Sequence, residues 1–155
     1  MGMILLGAAA SPFVRKVRVF VEELGLTEQV EMLFHKVSPV ISQDALNAAN
    51  PLGKIPALLR DSGPAIYDSR VICRYLDAQA EGGLYPDARI WEVLTLEATA
   101  DGIMDAAVLM VYEGRARDEA HQSEAWIEAQ WTNVMRALDA LETRLISHLA
   151  GPLDV

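Results

Sequence analysis

Two short stretches hold the residue types that could bind or activate a small molecule. The first, Asn50-Pro51-Leu52-Gly53-Lys54-Ile55-Pro56-Ala57-Leu58-Leu59, joins a turn-prone opening to an apolar run that begins at proline. Proline has no N–H and is tolerated in sheets at strand starts, edges and bulges, so a strand is expected to start at Pro56. A cis Ile55–Pro56 bond is expected there, with the N–H and C=O of Ile55 turned outward. Main-chain groups presented in that way can pair with an extended peptide as another strand does. The second stretch, Asp68-Ser69, opens the helical run Val71-Ile72-Cys73-Arg74-Tyr75-Leu76. A carboxylate, a hydroxyl and free N–H groups then meet at one helix start, which suits a small peptide with a free carboxylate. A third feature is Ser11-Pro12, serine at an N-cap and proline at the first helical position.

The elements that must position these residues can be read around them. Met3-Ile4-Leu5-Leu6 is a fully apolar run of the kind that forms a buried parallel strand, and Gly7 to Ala10 is a loop of small residues. Val14, Val17, Val21 and Leu24 recur at helical spacing, and Gly25 ends that helix. Val30, Met32 and Phe34 alternate with Glu31, Leu33 and His35, predicting a second strand and a right-handed parallel crossover from the first. Residues 38–49 predict a short irregular helix after Ser38-Pro39. Pro56 to Leu59 and Ala65 to Tyr67, separated by Asp61-Ser62-Gly63-Pro64, predict a hairpin. A helix from Ser69 to about Ala78 closes this unit, and Gly82-Gly83-Leu84-Tyr85-Pro86 is the linker out of it. Beyond it only helices are expected. One spans 88–117, its apolar face interrupted by Asp101-Gly102 and Asp105. A second carries Ile127, Trp131, Val134, Leu138, Leu141, Leu145 and Leu149 as a stripe for packing on another helix, up to a stop at Gly151-Pro152.

Composition agrees with two small globular units. Of 155 residues, 52% are apolar and 23% charged, which is not the profile of a disordered chain. The net charge of −9 falls entirely in the second half: residues 1–80 hold eight basic and eight acidic side chains, residues 81–155 five and fourteen. An anion is therefore not repelled by the first half. The acidic second half reads as solvated helix faces, and a chain without a basic patch is a poor nucleic-acid binder. The single cysteine, Cys73, precludes an internal disulfide and fits a reducing compartment; its place in an apolar helical stripe makes it a core residue rather than a nucleophile. No metal-ligand spacing and no membrane-length apolar run is present. Ala8-Ala9-Ala10 imitates a signal cleavage site, but no Lys or Arg precedes it and cutting there removes the first strand, so a cytoplasmic location is expected.

Taken together and in order, Ser11-Pro12-Phe13-Val14-Arg15-Lys16, Asn50-Pro51-Leu52-Gly53-Lys54-Ile55-Pro56 and Asp68-Ser69-Arg70-Val71-Ile72 resemble the signature blocks of bacterial glutathione S-transferases. The resemblance covers roughly the first eighty residues; the second half is similar to the family only as two long helices. It implies a thioredoxin-like α/β domain over 1–80, in the order βαβ-α-ββα, and an incomplete all-helical domain over 86–155. It further implies glutathione as co-substrate, no metal, a small apolar electrophile as second substrate, and a homodimer. Ser11 is the residue it assigns to the thiolate. Gly7 to Ala10 contain no tyrosine for that task, position 11 is not cysteine, and no Cys-x-x-Cys is present for thiol–disulfide exchange. It assigns Asp68 and Ser69 to the γ-glutamyl end, Ile55 and Pro56 to the cysteinyl part, Lys54 to the glycyl carboxylate and Phe13 to the same site; Met104 and Val108 are expected to meet the electrophile.

Each residue also has a plainer reading. Ser11 can be only a helix cap, Asp68-Ser69 an ordinary N-cap, and Lys54 a surface lysine; His35 and Lys36 are weaker candidates still. Family members also continue past the position of Val155 with a helix that supports the first domain. A non-catalytic regulatory or interaction module on the same fold, or an inert fragment, are therefore the alternatives to a transferase.

Overall fold

The computed structural model describes residues 2–34 and 43–144. The expected positions His35, Lys36, Ser38-Pro39, Leu145, Leu149 and Gly151-Pro152 lie outside them. By its internal contacts the chain divides into two compact units, Met1–Gly83 and Leu84–Val155.

The first unit is a four-stranded sheet in the order β2-β1-β3-β4, built from β1 (Met3–Gly7), β2 (Val30–Phe34), β3 (Ala57–Leu59) and β4 (Ile66–Tyr67). β1 runs parallel to β2 and antiparallel to β3, which pairs antiparallel with β4. The helices are α1 (Pro12–Glu23), α2 (Asp44–Ala49) and α3 (Ser69–Ala80). This is a thioredoxin-like domain. Side chains alternate across a strand, and the two faces of β1 and β3 are used accordingly. Leu6 and Ala57 join Leu46 and Ala49 of α2 in one buried cluster, on which Ile4, Ile55 and Leu59 pack. Leu5 and Leu58 point the other way and are equally buried, as are Val14 and Val17 of α1 and Ile72 and Leu76 of α3. Full burial of a Leu or Ile side chain is worth about 1.5–3 kcal/mol, so these few positions dominate the unit's stability.

Gly7 shows how tightly the first helix sits on the first strand. A Cβ there would lie 2.7 Å from Val14 Cγ1 and 2.9 Å from Val14 Cγ2. The chain leaves β1 through this glycine, and Ser11 caps α1 by accepting the Val14 N–H at 3.3 Å, with Pro12 in the first turn.

The strand that the alternation predicts forms as β2. Of its residues only Val30 is buried, and Phe34 is half exposed, with the Arg18 guanidinium 6.0 Å from its ring centre. β2 is an edge strand, and an edge is covered on fewer sides than an inner strand. The other unit departs further from its pattern. It is all-helical among the described residues, with a short 3-10 turn (Asp87–Arg89), α4 (Ile90–Ala116), a second such turn (Glu119–His121) and α5 (Glu124–Arg144). α4 and α5 pack together, but among the described residues of the α5 stripe only Val134 is buried, while Trp131 and Leu138 are about half exposed. Asp101, expected to interrupt the apolar face of α4, stands there as a buried residue within the helix.

Glu113 ties the two long helices at their connection. Its Oε2 accepts from Arg117 Nε at 2.9 Å and its Oε1 accepts from the Ser123 N–H at 3.0 Å, while Ser123 Oγ accepts from the Trp126 N–H at 3.2 Å. Near the start of α4, the Tyr85 hydroxyl donates to Glu97 Oε1 at 2.9 Å. No helix among the described residues is long and apolar enough to cross a membrane.

Candidate functional site

The strand register decides where the candidate residues lie. Leu6 pairs with Ala57, and Ala57 pairs with Tyr67. The end of β1, the start of β3 and the end of β4 are therefore neighbours at one end of the sheet. Ser11 follows the first, Ile55-Pro56 precedes the second and Asp68-Ser69 follows the third. Segments some sixty residues apart in sequence thus leave the sheet side by side.

Ser11 holds the N-cap of α1 at φ −78°, ψ 124°. Capping uses a lone pair of Oγ, and the hydroxyl hydrogen remains to donate. The cap and a donor role are thus compatible, whereas sequence alone sets them against each other. Phe13, in the first turn of α1, is partly buried.

The Ile55–Pro56 bond is cis. The Ile55 side chain packs on the Leu6–Leu46–Ala49–Ala57 cluster, which holds its main chain in place, and Pro56 is buried. Among the described residues, no backbone hydrogen bond outside the helices and strands involves Ile55. The loop before it is organised by Asn50, a buried residue that the sequence reading treats only as turn-prone. Its Nδ2 donates to the Lys54 carbonyl at 2.8 Å and its Oδ1 accepts the Leu52 N–H at 3.0 Å. Gly53 completes the turn at φ 62°, a conformation open to glycine at no steric cost. Lys54 itself is exposed. Replacing Asn50 with alanine removes both bonds, and we expect a loss of about 1–2 kcal/mol, near the sum of two ordinary hydrogen bonds. A urea titration checks this, and an unchanged midpoint overturns it.

Asp68 is the residue whose geometry departs most from a plain cap. Its backbone stands at φ 61°, ψ 138°, a region that costs a non-glycine residue about 1–3 kcal/mol. Its Oδ1 accepts the Arg70 N–H at 2.9 Å and Arg70 Nε at 3.2 Å, and its Oδ2 accepts Arg70 Nη2 at 3.4 Å. Partial burial pushes the Asp68 carboxyl up, but the Arg70 hydrogen bonds and charge, with a contribution from Lys16, outweigh it and hold the group below its ordinary 3.8. That Lys16 of α1 is felt at Asp68 also brings the starts of α1 and α3 together. Ser69, the first residue of α3, is buried.

Met104 and Val108 lie four residues apart in α4 and are partly buried there. Cys73 is fully buried in α3. The described residues contain no group of His, Cys, Asp or Glu able to hold a metal ion. Sequence reasoning missed Asn50 as an organiser and Arg70 as the partner of Asp68. The signal for Asn50 was its place directly before Pro51-Leu52-Gly53, where an asparagine side chain can bond the turn it opens. Nothing in the chain announces the positive φ of Asp68.

Comparison with known proteins agrees with the fold. Residues 5–83 match the profile of the glutathione S-transferase N-terminal domain. The GST-like protein YibF of Escherichia coli K12 is 37% identical over 147 residues, 93% of this chain and 70% of the relative. A crystal structure of a glutathione transferase family member from Pseudomonas fluorescens Pf-5, with bound glutathione, superposes with a TM-score of 0.94 at 46% identity, covering 99% of this chain and 76% of the other. Another from the same organism, with bound S-(propanoic acid)-glutathione, gives 0.87 at 44% identity, covering 99% and 75%. The chain belongs to the glutathione S-transferase family.

Proposed function

We propose that this chain binds glutathione at the sheet end described above and, as a glutathione transferase, holds its thiol as a thiolate for attack on a small apolar electrophile. What supports the reading most is the meeting of Ser11, Ile55-Pro56 and Asp68-Ser69 at the ends of neighbouring strands. In this reading the γ-glutamyl ammonium faces Asp68, and its carboxylate takes the Ser69 hydroxyl and the Ser69 N–H at the start of α3. The cysteinyl part pairs with the main chain of Ile55 beside Pro56, and Lys54 reaches the glycyl carboxylate. Ser11 donates to the sulfur at the positive end of α1, and Phe13 lines the same site. Residues 1–80 supply the tripeptide's site. Residues 86–155 supply, through Met104 and Val108, the apolar surface for the electrophile. A glutathione thioether in one Pseudomonas relative suits a site that tolerates substituents on sulfur. A homodimer working in the cytoplasm completes the proposal.

Titration calorimetry with three ligands tests it. Glutathione and S-methylglutathione should both bind saturably, and cysteinylglycine, which lacks the γ-glutamyl end, should not. With an activated aryl halide, glutathione should then be consumed in proportion to enzyme. No saturable glutathione binding overturns the reading. Binding without turnover overturns the catalytic half and leaves a non-catalytic module.

A further inference from the structure

The sheet ends on one side at β2, whose outer edge is open. Successive residues of a strand turn their main-chain groups to opposite sides. The Gln29 carbonyl accepts the Met3 N–H at 2.8 Å, so Glu31 and Leu33 face β1 in their turn. Val30, Met32 and Phe34 then face away from it. The Val30 N–H goes to the Leu26 carbonyl at 3.1 Å. Among the described residues, no backbone bond outside the helices and strands involves Met32 or Phe34. Unpaired groups in such a row are a template for another strand, which natural edges commonly guard with proline, lysine or a bulge. Val30–Phe34 contains no proline and no lysine, and it pairs with β1 residue for residue, from Met3 with Val30 to Gly7 with Phe34. Its side chains are equally open. Leu33 is 43% exposed on one face of the strand and Phe34 49% on the other. Glu28 and Glu31 are exposed beside them, and neither has an ion-pair partner among the described residues. Arg18 is the cation at the other end, 6.0 Å from the Phe34 ring centre.

We propose that the β2 edge is a docking surface for an extended, basic and apolar segment of another protein, which adds a fifth strand to the sheet. The segment's main chain pairs with that of Met32 and Phe34. A basic side chain lies across from Glu31 and an apolar one across from Leu33, two residues apart as side chains on one face of a strand must be. A second copy of this chain is the poorer occupant. Its own edge brings another Glu28 and Glu31 to the same place, and like charges across a strand pair are unfavourable. None of these residues belongs to the proposed glutathione site, so the two readings stand or fall separately.

The probe is the acetylated and amidated peptide Val-Val-Thr-Lys-Val-Thr-Lys. Laid antiparallel, it sets lysines across from Glu31 and Glu28 and valines across from Leu33 and Phe34. It is titrated into the whole chain at low ionic strength and followed by backbone NMR and amide exchange. Binding should saturate, and the Met32 and Phe34 amides should then exchange at least about tenfold more slowly. The same peptide with glutamates for its lysines should bind about tenfold more weakly, a gap that narrows with salt. Glu31→Lys, an exposed change whose fold circular dichroism checks, should abolish that preference. Methylation of the peptide's third and fifth amide nitrogens, which face β2 in this register, should abolish binding. If the methylated peptide binds as well as its parent, the contact is one of charge alone and the proposal falls. It falls too if Met32 and Phe34 exchange unchanged at saturation. Amides already protected in the protein alone, and released on dilution, assign the edge to a second copy and overturn it.

Discussion

Replacing Ser11 with alanine should raise the pKa of the bound glutathione thiol and slow conjugation while leaving the affinity for glutathione nearly intact. On the proposed reading the hydroxyl meets only the sulfur, and the rest of the tripeptide is held by Ile55, Asp68 and Ser69. Loss of one preorganised donor costs about 2.7–4 kcal/mol in well-buried oxyanion sites. Sulfur is a more diffuse acceptor, and the end of α1 still acts on it, so about 1–2.5 kcal/mol is expected, or one to two pKa units at 1.36 kcal/mol each. A free thiol titrates near 8.5, so most of the site's advantage at neutral pH should vanish. Thiolate absorbance followed against pH with bound glutathione reads the shift directly. Ser11 also caps α1 through the Val14 N–H, and losing that cap should separately lower stability by about 1 kcal/mol. Ser11→Thr retains both the cap and the donor and should behave as the parent. A thiolate that titrates identically in the alanine variant reduces Ser11 to a cap.

The second large effect concerns Asp68, and asparagine is the substitution that isolates it. Alanine removes the cap and puts a methyl side chain at φ 61°, so folding and binding change together. Asparagine keeps the size of the parent side chain, and its Oδ1 can still accept the Arg70 N–H. Asp68→Asn should therefore fold normally and bind glutathione about 1.5–3 kcal/mol more weakly, the range for a hydrogen bond to a charged group. The pH dependence has a definite sign. The folded carboxyl titrates below 3.8, so its charge is present throughout the range above that value. What it contributes is lost only as the pH falls through the lowered pKa. The gap between parent and variant should stay constant from pH 7 to about pH 4.5 and close below that. Calorimetry at a series of pH values checks both claims; equal affinities at pH 7 refute the role given to Asp68.

Much of this architecture was open to sequence reasoning because local chemistry and tertiary demand agree there. Ser11-Pro12 starts a helix by the same hydrogen bond and fixed φ that start one in isolation. Asp61 to Pro64 joins two apolar runs and can only turn between them. The order of strands and helices then leaves few ways to assemble the sheet. What stayed hidden depends on neighbours that a pattern does not record. The apolar stripe of α5 names a face but not what covers it, and Trp131 and Leu138 remain half exposed. Asp101 interrupts a helix face by pattern, but only the structure shows that it is buried there. Asp68 before Ser69 reads as an ordinary cap, since aspartate is favoured there at normal backbone angles too. Its positive φ, and the pairing with Arg70 that follows from it, appear only when β4 and α3 are joined in space.

Cys73 is the chain's single cysteine and has no measurable exposure. On the proposed reading the ligand is itself a thiol, and its oxidised form swaps partners with any accessible sulfhydryl. Here the protein's own sulfur is fully buried in α3, so glutathionylation requires the first unit to open. If the proposed reading holds, oxidised ligand is not locked onto the folded protein. The rate at which a maleimide reaches Cys73 becomes a clock for how often that unit breathes.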